Sequence, residues 1–312
     1  MRISTNFGCR FCSLCLIRLI LNKKTHIANT TSIERVTDYL RDVFPDISSK
    51  SSIKKAIKNK CINVNGKVAK TSTWIFNGSI IDFYPLPPTV KKVYNARFDG
   101  LFEDDHIAVI AKPAGWLVSG NQFRTVTNAL PNFLRPSNAE DKLPTPLPVH
   151  RLDSQTSGLL LIAKTRQAVI NLSQQFELNK IKKTYHAIVS GLPNDNGIIN
   201  SDIRGKIAET HFELLQSTPS IKNGSISLLK VNPKTGREHQ IRIHLSSIGF
   251  PIMGDKLYNT STINKKGLFL SATGIIFNHP VSNQTISLSV PLPLKFYRLL
   301  NKEERRYNKQ NI

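Results

Sequence analysis

Residues 150–164 combine a lone carboxylate with a rigid setting, the combination that covalent or acid–base chemistry requires. Asp153 lies directly before a Ser/Thr/Gly turn, and it is the only acidic residue between Asp141 and Glu177. The apolar run 159–162 follows the turn, and so short a run predicts a buried strand. An Asp in such a turn more often only bonds nearby backbone N–H groups, so the pattern alone leaves both roles open.

The charge of the chain is unusual. Its 312 residues include 43 Lys and Arg against 21 Asp and Glu, a formal net charge of +22. This excess favours polyanionic partners, because each phosphate that a protein neutralises releases condensed counterions. A general bias toward lysine would raise the charge without a function, so charge alone does not establish RNA binding. The length accommodates two domains, and 40% hydrophobic residues are enough for a core.

The first 32 residues are predicted to be a disordered basic extension. Cys9, Cys12 and Cys15 form a C-x2-C-x2-C cluster, but a metal site needs a further ligand at suitable spacing, so we expect reduced thiols and no metal. The apolar run 14–21 is too short and too charged to span a bilayer. We therefore expect a cytoplasmic protein without a membrane partner, although the acid-free composition is also compatible with organellar import.

Residues 33–84 are predicted to form a small domain of two helices and short strands. The first helix is indicated by apolar residues at helical spacing: Ile33, Val36, Tyr39, Leu40 and Val43. A second helix would be capped by Ser51 or Ser52, and Asn65-Gly66 predicts a hairpin. The domain resembles the S4 RNA-binding domain, which implies that basic side chains contact RNA, while a merely solvated basic face is the alternative. These side chains are Lys54, Lys55, Lys58 and Lys67.

The remaining chain is divided by composition and periodicity. Residues 85–99 are predicted to be a proline-stiffened linker, residues 100–300 a larger domain, and residues 301–312 a frayed charged tail. Within the larger domain, residues 132–148 are predicted to be an exposed Pro-rich loop. A strand ending in a turn is predicted over 107–115, a helix over 167–177, and further strands over 182–191, 209–216 and 225–232.

A polar motif near residues 235–245 supplies further candidates. Basic side chains alternate there with isoleucines and a leucine, so the segment can bury one face while its polar side lines a cleft. His239 and His244 are five residues apart, a spacing that does not face one way on a helix, so we expect structural hydrogen bonds rather than metal binding. Asp255 is predicted to be a turn or supporting residue rather than a catalyst.

Three of these stretches resemble signatures of the RluA-type RNA pseudouridine synthases. HRLDSQTSGLLL is similar to the family's HRLDxxTSGLLL, KTY to its KxY, and GREHQIRIHL with GFPIMGD to its third motif. Ala111, Ser119 and Ser271 depart from the residues that are usual in the family. The first two departures favour a structural role for the 111–119 turn over contact with substrate.

The resemblance implies roles for particular residues. Asp153 would be the catalytic residue, and Arg242 would pair with it, keeping the carboxylate ionised and oriented. Tyr185 would stack on the flipped uracil, and a further role as a base is left open. The residues expected to contact RNA near the site are Arg151, Arg237 and His239.

We therefore predict an α+β enzyme, with a small N-terminal S4-like domain followed by a larger, mixed, mainly antiparallel-sheet pseudouridine synthase catalytic domain. It would act as a monomer, without metal or cofactor, on a uridine flipped out of structured RNA, with ribosomal RNA of the large subunit favoured over transfer RNA. Asp153 would act either as a nucleophile on the sugar or as a base at its 2′ position. The rival hypotheses are a catalytically silent RNA-binding ribosome-assembly factor and a hydrolytic N-glycosidase.

Overall fold

Two units make up the chain, and the division between Lys91 and Lys92 falls inside the predicted linker. The structure is a computed structural model that describes residues 23–85, 93–259 and 267–310. The predictions for the cysteine cluster near the N-terminus lie outside these residues. Within the described ranges, no helix is long and apolar enough to cross a membrane.

The first unit contains the strands β1 (Lys24–Ile27), β2 (Glu34–Arg35), β3 (Ile62–Val64), β4 (Lys67–Val68), β5 (Trp74–Ile75) and β6 (Ile80–Phe83). Four of them form an antiparallel sheet with the order β1-β6-β3-β4. Strands β2 and β5 form a separate pair. The helices are α1 (Val36–Tyr39) and α2 (Lys50–Lys58), with 3-10 turns at Leu40–Asp42 and Pro45–Ile47. The core of this unit includes the buried side chains of Ile53, Ile62, Ile75 and Ile81.

Local signals predicted part of the first unit correctly. The second helix and the hairpin are confirmed, with Asn65 and Gly66 at positive φ in the turn. The N-cap of α2 is Ser49 rather than Ser51 or Ser52. Its Oγ accepts from the backbone N of Ser52 over 3.1 Å, and the Ser52 hydroxyl oxygen accepts from the Ser49 backbone N.

Two predictions for the first unit are wrong. The first predicted helix is α-helical only over Val36–Tyr39, because residues 34–35 pair as a strand and the chain tightens into 3-10 turns toward Pro45. The basic extension does not reach residue 32, because β1 pairs with β6 and Thr25 donates to Asp82 over 2.8 Å.

Ten strands of the described residues form the sheet of the second unit. These are β7 (Asp99–Glu103), β8 (Ile107–Lys112), β9 (Lys142–Pro148), β10 (Ser157–Thr165), β11 (Lys182–Ser190), β12 (Asn196–Asn200), β13 (Glu209–Ser220), β14 (Gly224–Pro233), β15 (Leu270–Asn278) and β16 (Thr285–Ser289). The main path through the sheet is β12-β13-β14-β11-β15-β10-β8-β7. The helices are α3 (Val126–Phe133), α4 (Arg166–Glu177), α5 (Gln240–Ser247) and α6 (Leu294–Gln310). The pairings are antiparallel except β10 with β15, so the predicted α+β class is confirmed.

The parallel contact between β10 and β15 lies near the middle of this sheet. Gly158 of β10 pairs with Ala272 of β15, and Ala272 pairs in turn with Tyr185 of β11. Gly158 has a φ of +119°, and a Cβ there would lie 2.0 Å from the carbonyl oxygen of Ala272, so only glycine fits. This close approach fixes the start of β10 against β15, so that the loop carrying Asp153 leads into β10 one strand away from β11, which carries Tyr185.

The helix over 167–177 and the strands of the second unit are confirmed as α4, β8, β11, β13 and β14, with small shifts at their ends. The predicted Pro-rich loop is wrong at both ends, because α3 continues to Phe133 and β9 pairs with β10. The predictions of a frayed tail over residues 301–312 and of a domain end at residue 300 are also wrong. Helix α6 runs to Gln310, since Phe296, Leu299 and Leu300 are buried in the core.

Candidate active site

Asp153 and Arg242 lie far apart in the sequence but are in contact in the fold. The Nη1 of Arg242 donates to the Oδ2 of Asp153 over 3.1 Å. Asp153 lies in the loop between β9 and β10, and Arg242 lies on α5, which begins after His239 in a left-handed conformation. This contact confirms the predicted pairing of the two side chains.

The Arg242 guanidinium is held from its other side by Asp255. Nε donates to one carboxylate oxygen over 2.7 Å, and Nη2 donates to the other over 2.9 Å. Asp255 also accepts from the backbone N of Leu257 and Tyr258. Burial raises the pKa of Asp255, but the Arg242 hydrogen bonds and charge, with the two backbone donors, outweigh burial and hold this pKa below its usual value. The fork geometry fixes the guanidinium and directs its free N–H group at Asp153.

A cleft of about 480 Å³ adjoins this pair. The volume lies within the range of small-molecule sites and can admit a single nucleoside. Besides Asp153 and Arg242, its lining contains the candidates Arg151, Tyr185, Arg237 and His239. Arg242 and His239 both approach Oδ2 of the Asp153 carboxylate. In the part of the chain that the structure describes, no residue donates a hydrogen bond to Oδ1. One carboxylate oxygen is therefore held while the other is available to a ligand.

The arrangement agrees with what the chain resembles. A family model for RNA pseudouridylate synthase matches residues 106–247. The chain is 32% identical to ribosomal large subunit pseudouridine synthase C of Rickettsia typhi, over 87% of this chain and 98% of that protein. It is 34% identical to an uncharacterized RNA pseudouridine synthase of Aquifex aeolicus, over 84% of this chain and 92% of that protein. The chain belongs to the RluA-type RNA pseudouridine synthases.

Solved structures of pseudouridine synthases show the same fold as this one. Human RNA pseudouridylate synthase domain containing 4 matches with a TM-score of 0.54 and 22% identity, over 66% of this chain and 93% of that one. Human RNA pseudouridylate synthase domain containing 1 matches with a TM-score of 0.51 and 19% identity, over 66% and 85%. These two structures show the fold, while the family model and the relatives confirm the enzyme class expected from the motifs.

Tyr185 presents a neutral aromatic ring to the cleft of the synthase. Burial, and then the charge of Asp153, raises the pKa of its hydroxyl well above the usual value. In the described part of the chain, no residue forms a hydrogen bond with that hydroxyl. The side chain is half-buried and lines the cleft. At neutral pH the side chain is therefore a phenol rather than a phenolate, which suits stacking better than proton abstraction.

His150 supports the loop that carries Asp153, a structural role that the sequence did not reveal. Its Nε2 accepts from the backbone N of Leu161 over 3.0 Å, and its ring packs against Phe176 with centroids 5.0 Å apart. Burial, and then the charge of Lys183, lowers the pKa of His150 to about 4, so the ring is neutral near pH 7. The neutral ring ties the start of the loop that carries Asp153 to β10.

Lys112 supports the same loop and was also missed. Its side chain is 1% exposed, and its Nζ donates to the carbonyl oxygens of Pro113, Trp116 and Ser154 at 2.9–3.2 Å. Burial lowers the pKa of Lys112 to about 8, against the opposing effect of Asp153. These bonds join the turn after β8 to the residue that follows Asp153. They agree with the structural role that was expected of this turn.

Two residues of the second unit that were predicted to contact RNA, Arg237 and His239, also bind other groups of the protein. Arg237 donates from Nε to the carbonyl oxygen of Ile207 over 2.9 Å. The Nδ1 of His239 lies 3.0 Å from the Tyr258 hydroxyl, and its Nε2 lies 3.7 Å from Oδ2 of Asp153. His239 is thus placed beside the Asp153–Arg242 pair, while its contact with RNA stays a prediction.

The other predicted side chains are distributed between the cleft, the core and the surface. Arg151 is exposed at the cleft. His244 is fully buried between the Thr210 hydroxyl, at 2.9 Å, and the carbonyl oxygen of Ser201, at 3.0 Å, which confirms structural hydrogen bonds for this histidine. In the described part of the chain, no His, Cys, Asp and Glu side chains form a cluster suited to a metal. The first-unit candidates, which lie on α2 and β4 and are all exposed, are Lys54, Lys55, Lys58 and Lys67.

Proposed function

We propose that this synthase isomerises uridine in large-subunit ribosomal RNA and that Asp153 is its catalytic carboxylate. The observation that carries the proposed role is the 3.1 Å contact between Asp153 and Arg242 at a cleft of nucleoside size. The proposed target rests on relatives named ribosomal large subunit pseudouridine synthase C, which match along nearly their whole length.

The reaction exchanges one bond to the ribose for another. The bond between C1′ and N1 breaks, the uracil turns, C5 bonds to C1′, and the C5 proton is lost while N1 gains one. Asp153 can assist by attacking C1′ and later leaving, or by removing the proton from C2′ and later returning one. Both routes require a carboxylate, which the neighbouring Arg242 guanidinium favours. No net oxidation occurs, so neither route needs a redox partner.

The target base must leave its helix before it can enter the cleft. Tyr185 is proposed to stack on the extruded uracil, because its ring lines the cleft on the strand next to that of Ala272. The first unit is proposed to bind RNA through the lysines of α2. This helix is capped by Ser49 and buries Ile53 and Ile57, which leaves its lysines at the surface.

Substitutions of Tyr185 separate the ring from its hydroxyl. Tyr185→Ala is expected to lower kcat/KM at least about tenfold, since stacking on a base contributes about 1–3 kcal/mol. Tyr185→Phe is expected to keep the KM of the wild type, because the ring remains. Steady-state kinetics on a ribosomal RNA transcript test both variants, and the kcat of Tyr185→Phe reports on the hydroxyl alone. Equal KM values for the alanine and wild-type enzymes would contradict the stacking role.

Pseudouridine mapping tests the proposed target directly. Total RNA is compared from cells that carry the gene, cells that lack it, and deleted cells that express either the wild type or Asp153→Asn. We expect particular pseudouridines to disappear from large-subunit ribosomal RNA on deletion and to return only with the wild type.

The other outcomes distinguish the alternatives. Loss of pseudouridine from transfer RNA alone would contradict the ribosomal target and leave the enzyme class intact. An unchanged map with altered ribosome assembly would favour a silent RNA-binding factor. Free uracil released from a purified transcript would identify an N-glycosidase.

A further inference from the structure

Helix α6 carries an exposed row of cations that the isomerisation does not use. The row consists of Arg298, Lys302, Arg305 and Lys309. Their spacing of i, i+4, i+7 and i+11 places them on one side of an α-helix, over a length of about 16 Å. Within the described ranges, no ion pair involves any of the four, whereas the neighbouring Arg306 pairs with Glu303 at 3.4 Å.

The helix is a rigid support for this row. Its buried side chains share one hydrophobic core with Ile241 and Leu245, which lie on α5 on either side of Arg242. The Oε2 of Glu303 accepts from the Ser220 hydroxyl over 2.7 Å, and Glu303 is only 8% exposed. The row therefore belongs to the same packed body as Arg242.

The surroundings of the row are basic. A groove of about 440 Å³ along the helix is lined by Arg298, Asn301, Lys302, Arg305, Arg306 and Lys309. Its lining contains five cations and one amide and no carboxylate. Like charges at these spacings repel each other and destabilise a helix, and a polyanion laid along the row would relieve that repulsion.

We propose that this row, Arg298, Lys302, Arg305 and Lys309, is a phosphate-binding strip that holds the RNA backbone outside the catalytic cleft. Arginine can grip a phosphate with two N–H groups, and lysine adds a point charge. The strip contributes affinity and leaves the chemistry to the cleft. The inference depends on RNA as the substrate class and not on which RNA is modified.

The test removes three charges from the strip and, in a separate control, three from elsewhere in the same unit. The strip variant is Arg298→Gln, Lys302→Gln and Arg305→Gln. The control is Lys142→Gln, Arg166→Gln and Lys180→Gln, which are also exposed. Glutamine keeps helix propensity, and Glu303 with its partners is left intact. The probes are a large-subunit ribosomal RNA transcript and a transfer RNA transcript, and Kd is measured across a range of salt concentrations.

We expect the strip variant to bind both transcripts at least about tenfold more weakly than the control and to reduce the slope of log K against log salt by about two. Its KM should rise while kcat at saturating RNA stays at the wild-type value. A charge-preserving variant, Arg298→Lys with Arg305→Lys, should retain the wild-type slope. If the strip variant matches the control in Kd and slope, the proposal is wrong, and an acidic protein becomes the better candidate partner.

Discussion

Replacement of Asp153 by asparagine is expected to abolish pseudouridine formation, with a loss of at least about 10³-fold, while the fold and RNA binding persist. Asparagine has nearly the same size, but its amide can neither attack C1′ nor take a proton from C2′. Arg242 keeps its two bonds to Asp255 in this variant, so its guanidinium is not left unpaired. The variant should therefore unfold at nearly the wild-type temperature.

Three measurements check this expectation. Pseudouridine is quantified in a ribosomal RNA transcript after long incubation with excess enzyme, Kd is measured for the same transcript, and thermal unfolding is followed by circular dichroism. Asp202→Asn is the matched control, because Asp202 is exposed in the same unit and does not line the cleft. Turnover by Asp153→Asn within about tenfold of the wild type would refute the assignment of the carboxylate, since general acid–base catalysis alone contributes about 10²–10⁴-fold.

The sequence predicted what short-range patterns determine. Helix α2 and the Asn65-Gly66 hairpin depend on caps, turn residues and periodicity within a few positions, and both are confirmed. Helix α6 shows the reverse case. Its buried positions follow helical spacing, but charged residues dominate its second half and conceal the pattern. Only the packing against β13 and the bond between Glu303 and Ser220 reveal why the helix continues.

The geometry of the site was less predictable from local sequence patterns than the helices and the hairpin were. The contact between Asp153 and Arg242 joins positions 89 residues apart, so no spacing rule could give it, and the expectation came from a family resemblance. The protonation equilibria of Lys112 and His150 depend on burial by segments distant in the sequence, and this burial lowers the pKa of both side chains. A sequence alone does not show which lysine will be enclosed by carbonyl groups or which histidine will stay neutral.

Arg242→Met is expected to cause the largest loss of stability, in addition to loss of activity. Asp255 has a side chain that is 0% exposed, and the substitution removes both of its guanidinium bonds. Breaking a buried ion pair by deleting one partner costs about 3–5 kcal/mol, because the remaining charge is uncompensated. Urea unfolding near neutral pH measures this loss.

The pH dependence identifies the source of the loss. In the wild type the folded-state pKa of Asp255 is lowered, so its contribution to stability is present above the unfolded pKa and is lost as pH falls through the folded pKa. Without Arg242, fewer hydrogen bonds oppose the effect of burial, so the pKa of Asp255 rises. Protonation of Asp255 then removes the free-energy cost of its buried, uncompensated charge. The stability gap between wild type and Arg242→Met should therefore narrow as pH falls toward about 4. A gap independent of pH would show that Asp255 is not the cause.

A double variant separates stability from catalysis. Adding Asp255→Asn to Arg242→Met removes the stranded charge, so the double variant should recover part of the free energy of unfolding. Its activity should stay as low as that of Arg242→Met, because the guanidinium N–H that donates to Oδ2 of Asp153 is absent from both variants. Recovery of activity together with stability would mean that Arg242 acts only by holding the fold. Recovery of stability alone would identify the guanidinium as the group that orients the catalytic carboxylate.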